Sequence, residues 1–398
     1  MATFSANRRI HVAQRVEMNG LNDVQDKTST QNEKPSLGKM AIIICVCMIL
    51  GLIFGFAVEK GRVFEPEIVY NQMLFKKFVM LKMFLSATIS GMFFLSVLSM
   101  LPFTRSAFLQ AKRSFLSCIQ SKGYVTVLTG GAILGSGMAI GGTCPGVLLA
   151  QVGTGTSNAG YCLLGSLCGV LLYGITEPFI TKATKPSQPI RYQFLYHFYG
   201  SPYFMMALPI AAALSIVVFS LEIIFPWETE NSVDPESWEK SGLLGLPTWP
   251  PFMTGVIVGS LQLPLVLILG DTIGGSSGYC TITSQIFLTK SMKKLSPYLV
   301  RYQTGIQNWW QVIYIVSAML GAYLSSTLSG RYGTIQGVSI PQAFIGGMMI
   351  VFGSRLAGGC TSGHGLSGMG LLNMLSIATV VSMFGGGMIT AYMMETFM

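Results

Sequence analysis

Two short segments of this sequence carry a thiol among glycines and hydroxyls. One is Gly141-Gly142-Thr143-Cys144-Pro145-Gly146; the other is Gly358-Gly359-Cys360-Thr361-Ser362-Gly363-His364-Gly365. Such a set suits a small anion. Thiols and hydroxyls donate hydrogen bonds without carrying charge, and glycines let the backbone approach a ligand closely. Pro145 disfavours helix at Cys144, and a helix broken there presents free N–H groups to an anion. A packed, glycine-rich helix crossing explains the first segment equally well. The second is richer, because Arg355 precedes it in Ser354-Arg355-Leu356-Ala357. Arg355 either attracts an anion, snorkels to headgroups or binds backbone carbonyls. His364 is a proton acceptor, a donor to substrate, or a satisfied packing histidine. A third segment, Asp271-Thr272-Ile273-Gly274-Gly275-Ser276-Ser277-Gly278-Tyr279-Cys280-Thr281, again sets glycines and hydroxyls before a cysteine. Asp271 is expected there as a helix N-cap. The candidate binding set is therefore Cys144, Cys360, Cys280, Gly142, Thr143, Gly359, Thr361, Ser362, Gly363, His364, Arg355 and Ser276.

Other chemistries fit poorly. The eight cysteines include no CxxC and no His/Cys cluster with zinc spacing, so neither a metal nor another cofactor is expected. Cys45, Cys47, Cys162 and Cys168 read as small buried hydrophobes. A membrane thiol oxidoreductase would need paired, exposed, activated cysteines. Cys45 and Cys47 are two apart on a helix and do not face each other. The 24 methionines are scattered, which suits core or lipid contact better than copper. The net charge of +9 sits in short loops and is not interleaved with aromatics, which argues against nucleic acid.

The elements that position these residues are apolar. The chain is 51% hydrophobic and only 10% charged, and no charged side chain occurs from Gly123 to Thr176. Runs of about 20 apolar residues are transmembrane helix candidates. Spans are expected near 40–58, 78–101, 124–143, 158–180, 204–225, 251–270, 307–328, 342–357 and 371–394. The fold class is an all-α polytopic membrane protein with about nine transmembrane helices plus short re-entrant or broken helices. Lys82 is expected to snorkel, and Glu177 to sit at an interface. Residues 1–38 are polar, lack the apolar core of a secretory signal, and are expected to form a disordered tail.

The loops differ in sign. Arg105, Lys112, Arg113 and Lys122 lie in loop 102–123, Lys182, Lys185 and Arg191 in 181–203, and Lys290, Lys293, Lys294 and Arg301 in 285–306. Loop 226–250 instead carries Glu228, Glu230, Asp234, Glu236 and Glu239 against Lys240. The positive-inside rule places the first three loops and the N-terminus in the cytoplasm and the acidic loop outside. The cell membrane is the expected location.

The two thiol segments also repeat. At an offset of 216, Gly130, Gly131, Gly137, Gly142 and Cys144 coincide with Gly346, Gly347, Gly353, Gly358 and Cys360. The loop charges make span 3 run outward and span 8 inward. Two inverted, pseudosymmetric halves are expected, 39–180 and 251–398, joined by a linker helix at 204–225, as in many transporters. Gly51-x-Ile53-x-Gly55 recurs as Gly255-x-Ile257-x-Gly259.

Taken together, these elements resemble the YeeE/YedE-type sulfur transport family, whose characterised members take up thiosulfate. The most specific match is Ser354–Gly368 (SRLAGGCTSGHGLSG), and the two-half organisation covers roughly 40–395. The resemblance implies a bundle pinched at its middle, where thiosulfate passes by successive hydrogen bonds to cysteine thiols. It assigns Cys360 as the second-half thiol and Cys144 as the first. The sequence departs from the family in the first half, where Pro145 follows Cys144. Cys280 as a third thiol rests on its own segment alone. The expected function is uptake of thiosulfate or a similar small sulfur anion across a lipid bilayer. A membrane thiol oxidoreductase and an anion or water channel of the same architecture remain as alternatives.

Overall fold

The computed structural model describes residues 37–119, 122–184, 193–231, 248–287 and 289–397. The expected tail lies outside them except for Leu37 and Gly38, which already belong to the first helix. Lys185, Arg191, Asp234, Glu236, Glu239 and Lys240 also lie outside.

Among the described residues the chain is helical, apart from one isolated bridge between Phe194 and Asn373. In order, the helices used below are α1 (Leu37–Lys60), α2 (Pro66–Met73), α3 (Val79–Met100), α4 (Arg105–Ile119), α5 (Tyr124–Gly141), α6 (Val147–Gly153) and α7 (Ala159–Thr184). Then come α8 (Tyr203–Ile224), α9 (Pro251–Ser260), α10 (Gln262–Leu269), α11 (Ser276–Ser284), α12 (Ile306–Leu328), α13 (Ile340–Ala357) and α14 (Met374–Phe397). A wide-turned π-type helix, Thr361–Gly368, lies between the last two. Nine of these units are long and apolar enough to cross a membrane: α1, α3, α5, α7, α8, α9 with α10, α12, α13 and α14. Their 18 to 26 residues correspond to about 27–39 Å of helix, against a hydrocarbon core of about 30 Å.

Local chemistry sets several ends. Ser339 starts α13 with a capping box, its backbone N–H donating to Gln342 Oε1 at 3.2 Å. α5 and α13 both stop at a glycine in the left-handed conformation, Gly142 (φ 58°) and Gly358 (φ 89°). These two glycines coincide in the repeat, and a left-handed cap is where a residue lacking Cβ is preferred. The expected span at 251–270 is divided at Leu261 into α9 and α10. The basic segment at 102–123, expected as a loop, contains the 15-residue helix α4.

The packing is reciprocal. α1 lies along α12 while α9 lies along α3; α5 lies along α14 while α13 lies along α7; α5 and α13 cross each other. Short elements follow the same rule. α2 touches α3, α5 and α14, and α11 touches α12, α13 and α7. Gly51 and Gly55 seat α1 against the backbone of Tyr314 and Ala318, and Gly255 and Gly259 seat α9 against Met83 and Ala87. At the central crossing Gly130 faces Gly353 and Ala357, while Gly137 faces Gly346 and Ile350. The two helices therefore cross antiparallel, with glycine on both sides where the backbones meet. α8 packs on α3 and leaves most of its apolar surface exposed, as a lipid-facing helix would.

Lys82 and Asp271 depart from expectation. Lys82 does not snorkel: it is fully buried and bound to Glu222 (2.9 Å), Glu230 (2.7 Å) and the Phe225 carbonyl (2.6 Å). Desolvating a lysine is costly unless carboxylates neutralise it, and the last turn of α8 and the chain following it bring them. Glu177 lies within α7 and accepts from Thr181 at 3.1 Å. Asp271 is no helix cap, since α11 begins at Ser276; its Oδ1 accepts from the Thr272 N–H and the Ser114 hydroxyl, both at 2.8 Å. Cys45 is exposed on α1, whereas Cys47 and Cys162 are buried.

Candidate functional site

Each repeat thiol stands two residues after its left-handed glycine, in the gap before a short helix. Cys144 precedes α6, and Cys360 is the N-cap of the 361–368 helix. The Val147 N–H donates to Cys144 Sγ at 3.5 Å, and Gly363 N–H bonds Cys360 in the same i+3 relation. Both sulfurs thus accept from the first free N–H groups of a helix, which polarises them and leaves the S–H to point elsewhere. The expectation of broken-helix N–H groups holds in this form, but sulfur occupies them.

The two thiols come together. Cys144 bonds the Thr361 hydroxyl and lies within electrostatic range of Cys360. Cys360 Sγ lies 3.1 Å from Ser362 Oγ and also bonds Ser276. Tyr279, fully buried on α11, donates to the Pro145 carbonyl at 2.7 Å and borders both thiols. Pro145 therefore does not displace Cys144; its carbonyl, unused by any helix, anchors Tyr279. Tyr314 also borders Cys360, and its hydroxyl has no partner.

The other expected residues divide by position. Ser276 links Cys360 to Arg355, whose Nη2 donates to the Ser276 hydroxyl. Arg355 Nη1 reaches Ser277 Oγ at 3.3 Å and Cys280 Sγ at 3.7 Å. Arg355 is buried, so it neither snorkels nor caps carbonyls. Cys280 thus stands beside Arg355 rather than beside Cys144. Thr143 turns its hydroxyl to the Cys144 carbonyl at 3.4 Å, and the Gly142 carbonyl accepts from Gln151 at 2.9 Å. Gly359 lies against His364. His364 is tied through Nδ1 to Ser376 at 3.0 Å, and Ser376 in turn donates to Asn373 at 3.1 Å. Its ring anchors the 361–368 helix to α14, which is the packing role.

Cavities open at opposite ends of the bundle, and the smaller one reaches the first thiol. One of about 50 Å³ is walled by Phe54, Val58, Met80, Met83, Phe84, Val258 and Leu366, with Cys144, Thr361 and Ser362 supplying its polar edge. It opens toward the end where α1 finishes and α3 begins. The other, about 470 Å³, lies where α1 and α12 begin and is bordered by Gln110, Arg113, Ser114, Ser117 and Asp271.

Residues that spacing did not reveal stand on this second side. Lys122 donates to the Tyr173 hydroxyl at 2.5 Å, and the Tyr298 and Tyr302 hydroxyls lie 3.4 Å apart. Burial, with the Arg355 charge nearby, lowers the Lys122 ammonium to about 8 against a weaker pull upward from Glu177. No motif joins these residues, because they arrive from three separate segments. Among the described residues no group of three His, Cys, Asp or Glu side chains is placed to hold a metal.

Known proteins share this arrangement of sequence. A sulphur-transport family profile matches residues 60–389. The thiosulfate transporter TsuA of Escherichia coli (strain K12) is 23% identical over 334 residues, 80% of this chain and 85% of that protein. A probable transporter of Xylella fastidiosa (strain 9a5c) is 25% identical over 150 residues, covering 37% of this chain and 96% of the relative.

Proposed function

This chain belongs to the sulphur-transport family, and on that premise we propose that it takes up thiosulfate, or a small sulfur oxyanion like it, past the two glycine–cysteine elements. The observation that carries the reading is the meeting of Cys144, Thr361 and Cys360, each thiol at the start of a short helix, with a cavity that reaches Cys144, Thr361 and Ser362. A dianion entering hydrocarbon must exchange its hydration shell for other donors. Hydroxyls and thiols supply them without a fixed charge at the narrowest point, and several weak sites in series let the anion leave as well as enter. Cys144, Thr361, Ser362 and Cys360 hand the anion on; Gly142, Thr143, Gly359, Gly363 and His364 hold the two elements in place; Ser276, Cys280 and Arg355 receive it. Thiosulfate is favoured because a relative covering most of this chain is a thiosulfate transporter.

The halves are read as an inverted repeat. The antiparallel, reciprocal crossing of α5 and α13 supports this, since a two-fold axis relating antiparallel helices lies across them. So does a relative matched almost entire by 37% of the chain. The basic loops put the N-terminus in the cytoplasm of a cell-membrane protein, with the α1–α3 cavity facing outward.

The test is growth. Expressed in cells lacking their own thiosulfate uptake, the chain should support growth on thiosulfate as sole sulfur source. Cys360→Ala should abolish it, whereas Cys45→Ala, on the exposed face of α1, should leave it intact. Good membrane expression without growth would refute the transport reading. Normal uptake by Cys360→Ala would refute the thiol relay alone.

A further inference from the structure

Arg355 is a buried positive charge that meets no carboxylate among the described residues. Its relative exposure is 6%, and its hydrogen-bond partners are two serine hydroxyls and a cysteine thiol. Its Nε has no hydrogen-bond partner. Burying a guanidinium this way is expensive unless something anionic completes it.

A second positive feature points to the same place. Ser276 and Ser277 are the first residues of α11, so the guanidinium bonds the N-terminal turn of a nine-residue helix. That end carries partial positive charge and repels a cation while attracting an anion. Gly274 and Gly275, just ahead of it, border open space: a Cβ on either would meet no atom within 4 Å. Cys280 touches Arg355, and Lys122, Tyr298 and Tyr302, all donors, lie within electrostatic range of it.

The other half lacks these features. At the 216 offset Arg355 corresponds to Ala139. The chain entering α2 there reads Glu65-Pro66, and Pro66 fills the space beside Gly142. Reciprocal packing would allow a matching chamber, so the charge belongs to one side only.

We propose that the space between Arg355 and the N-terminus of α11 is a second anion station, one hydrogen-bonded step beyond Cys360, which binds the oxyanion end of the substrate through the guanidinium, the free Gly274 and Gly275 backbone and the Ser276 hydroxyl. It rests on the transport reading and deepens it. The thiol constriction passes the anion without charge, and the Arg355 station holds it once through. Ser276, bonded to both Cys360 and Arg355, is the shared ligand across which the anion changes hands.

The experiment is equilibrium binding of radiolabelled thiosulfate to the full chain in lipid nanodiscs, beside uptake by the same variants in cells. Arg355→Gln should weaken binding at least tenfold, Arg355→Lys should recover most of it, and Cys360→Ala should stop uptake while binding persists. Binding by Arg355→Gln equal to the parent overturns the station. Loss of binding in Cys360→Ala with retention in Arg355→Gln also overturns it, yet leaves the thiol constriction standing. A parent chain that neither binds nor transports thiosulfate removes both readings. If Arg355→Gln is not monodisperse, Lys122→Met and Tyr302→Phe serve instead: each should weaken binding several-fold, and unchanged affinity in both counts against the proposal.

Discussion

Cys144 and Cys360 are equivalent in what holds them and unequal in what surrounds them. Each takes a backbone N–H three residues on, but only Cys360 has a second hydroxyl, Ser276, that leads to a cation. Lys122 is the residue at which pH enters. Arg355 and Glu177 act on it from α13 and α7, Tyr173 bonds it, and its ammonium is held down to about 8. A lysine so lowered is charged below about pH 8 and neutral above it. Thiosulfate binding should therefore weaken several-fold between pH 7 and pH 9. Lys122→Arg, charged throughout, should flatten the profile, and a parent profile already flat would remove Lys122 from the site.

At the scale of elements, the crossing of α5 and α13 decides whether the thiols can meet. Gly130, Gly137, Gly346 and Gly353 bring the two backbones together, and this contact fixes the ends of both helices, from which Cys144 and Cys360 project. Gly137→Val would push against the Ile350 backbone and the Gly346 carbonyl. Overpacking of this kind costs about 1–3 kcal/mol. The variant should melt several degrees below the parent in detergent and lose uptake, whereas Gly385→Ala, with open space around it, should melt with the parent. The glycine pattern was legible in the sequence as a spacing that recurs at an offset of 216. That its glycines are crossing points, and not ligand contacts, was not, because a glycine that admits a ligand and one that admits a helix look alike in one dimension.

For the whole molecule, the distribution of loop charge bears on which way it faces. Acidic residues cluster between α8 and α9, and basic ones at the start of α1, along α4 and before α12. A short epitope inserted at 234–240 should be reached by antibody on intact cells. Labelling only after permeabilisation would reverse the orientation, and with it the side on which the Arg355 station lies. The Lys82 cluster bears on the same question. Expected at a headgroup, Lys82 instead locks α3 to the end of α8 through Glu222 and to the chain following it through Glu230. Hydropathy could not reveal this, since a lone lysine in an apolar run looks the same whether it reaches water or a carboxylate brought from 140 residues away.

By itself the sequence determined the membrane class, the nine candidate spans and the two thiol elements. These follow from local apolar runs, charge and spacing, which need no neighbour to be read. Only the tertiary structure decided which donors share a space. Tyr279 on Pro145, Ser276 between Cys360 and Arg355, and Lys122 on Tyr173 are contacts between distant segments. They exist because two halves packed on each other's helices, and that pairing leaves no mark in the spacing of either.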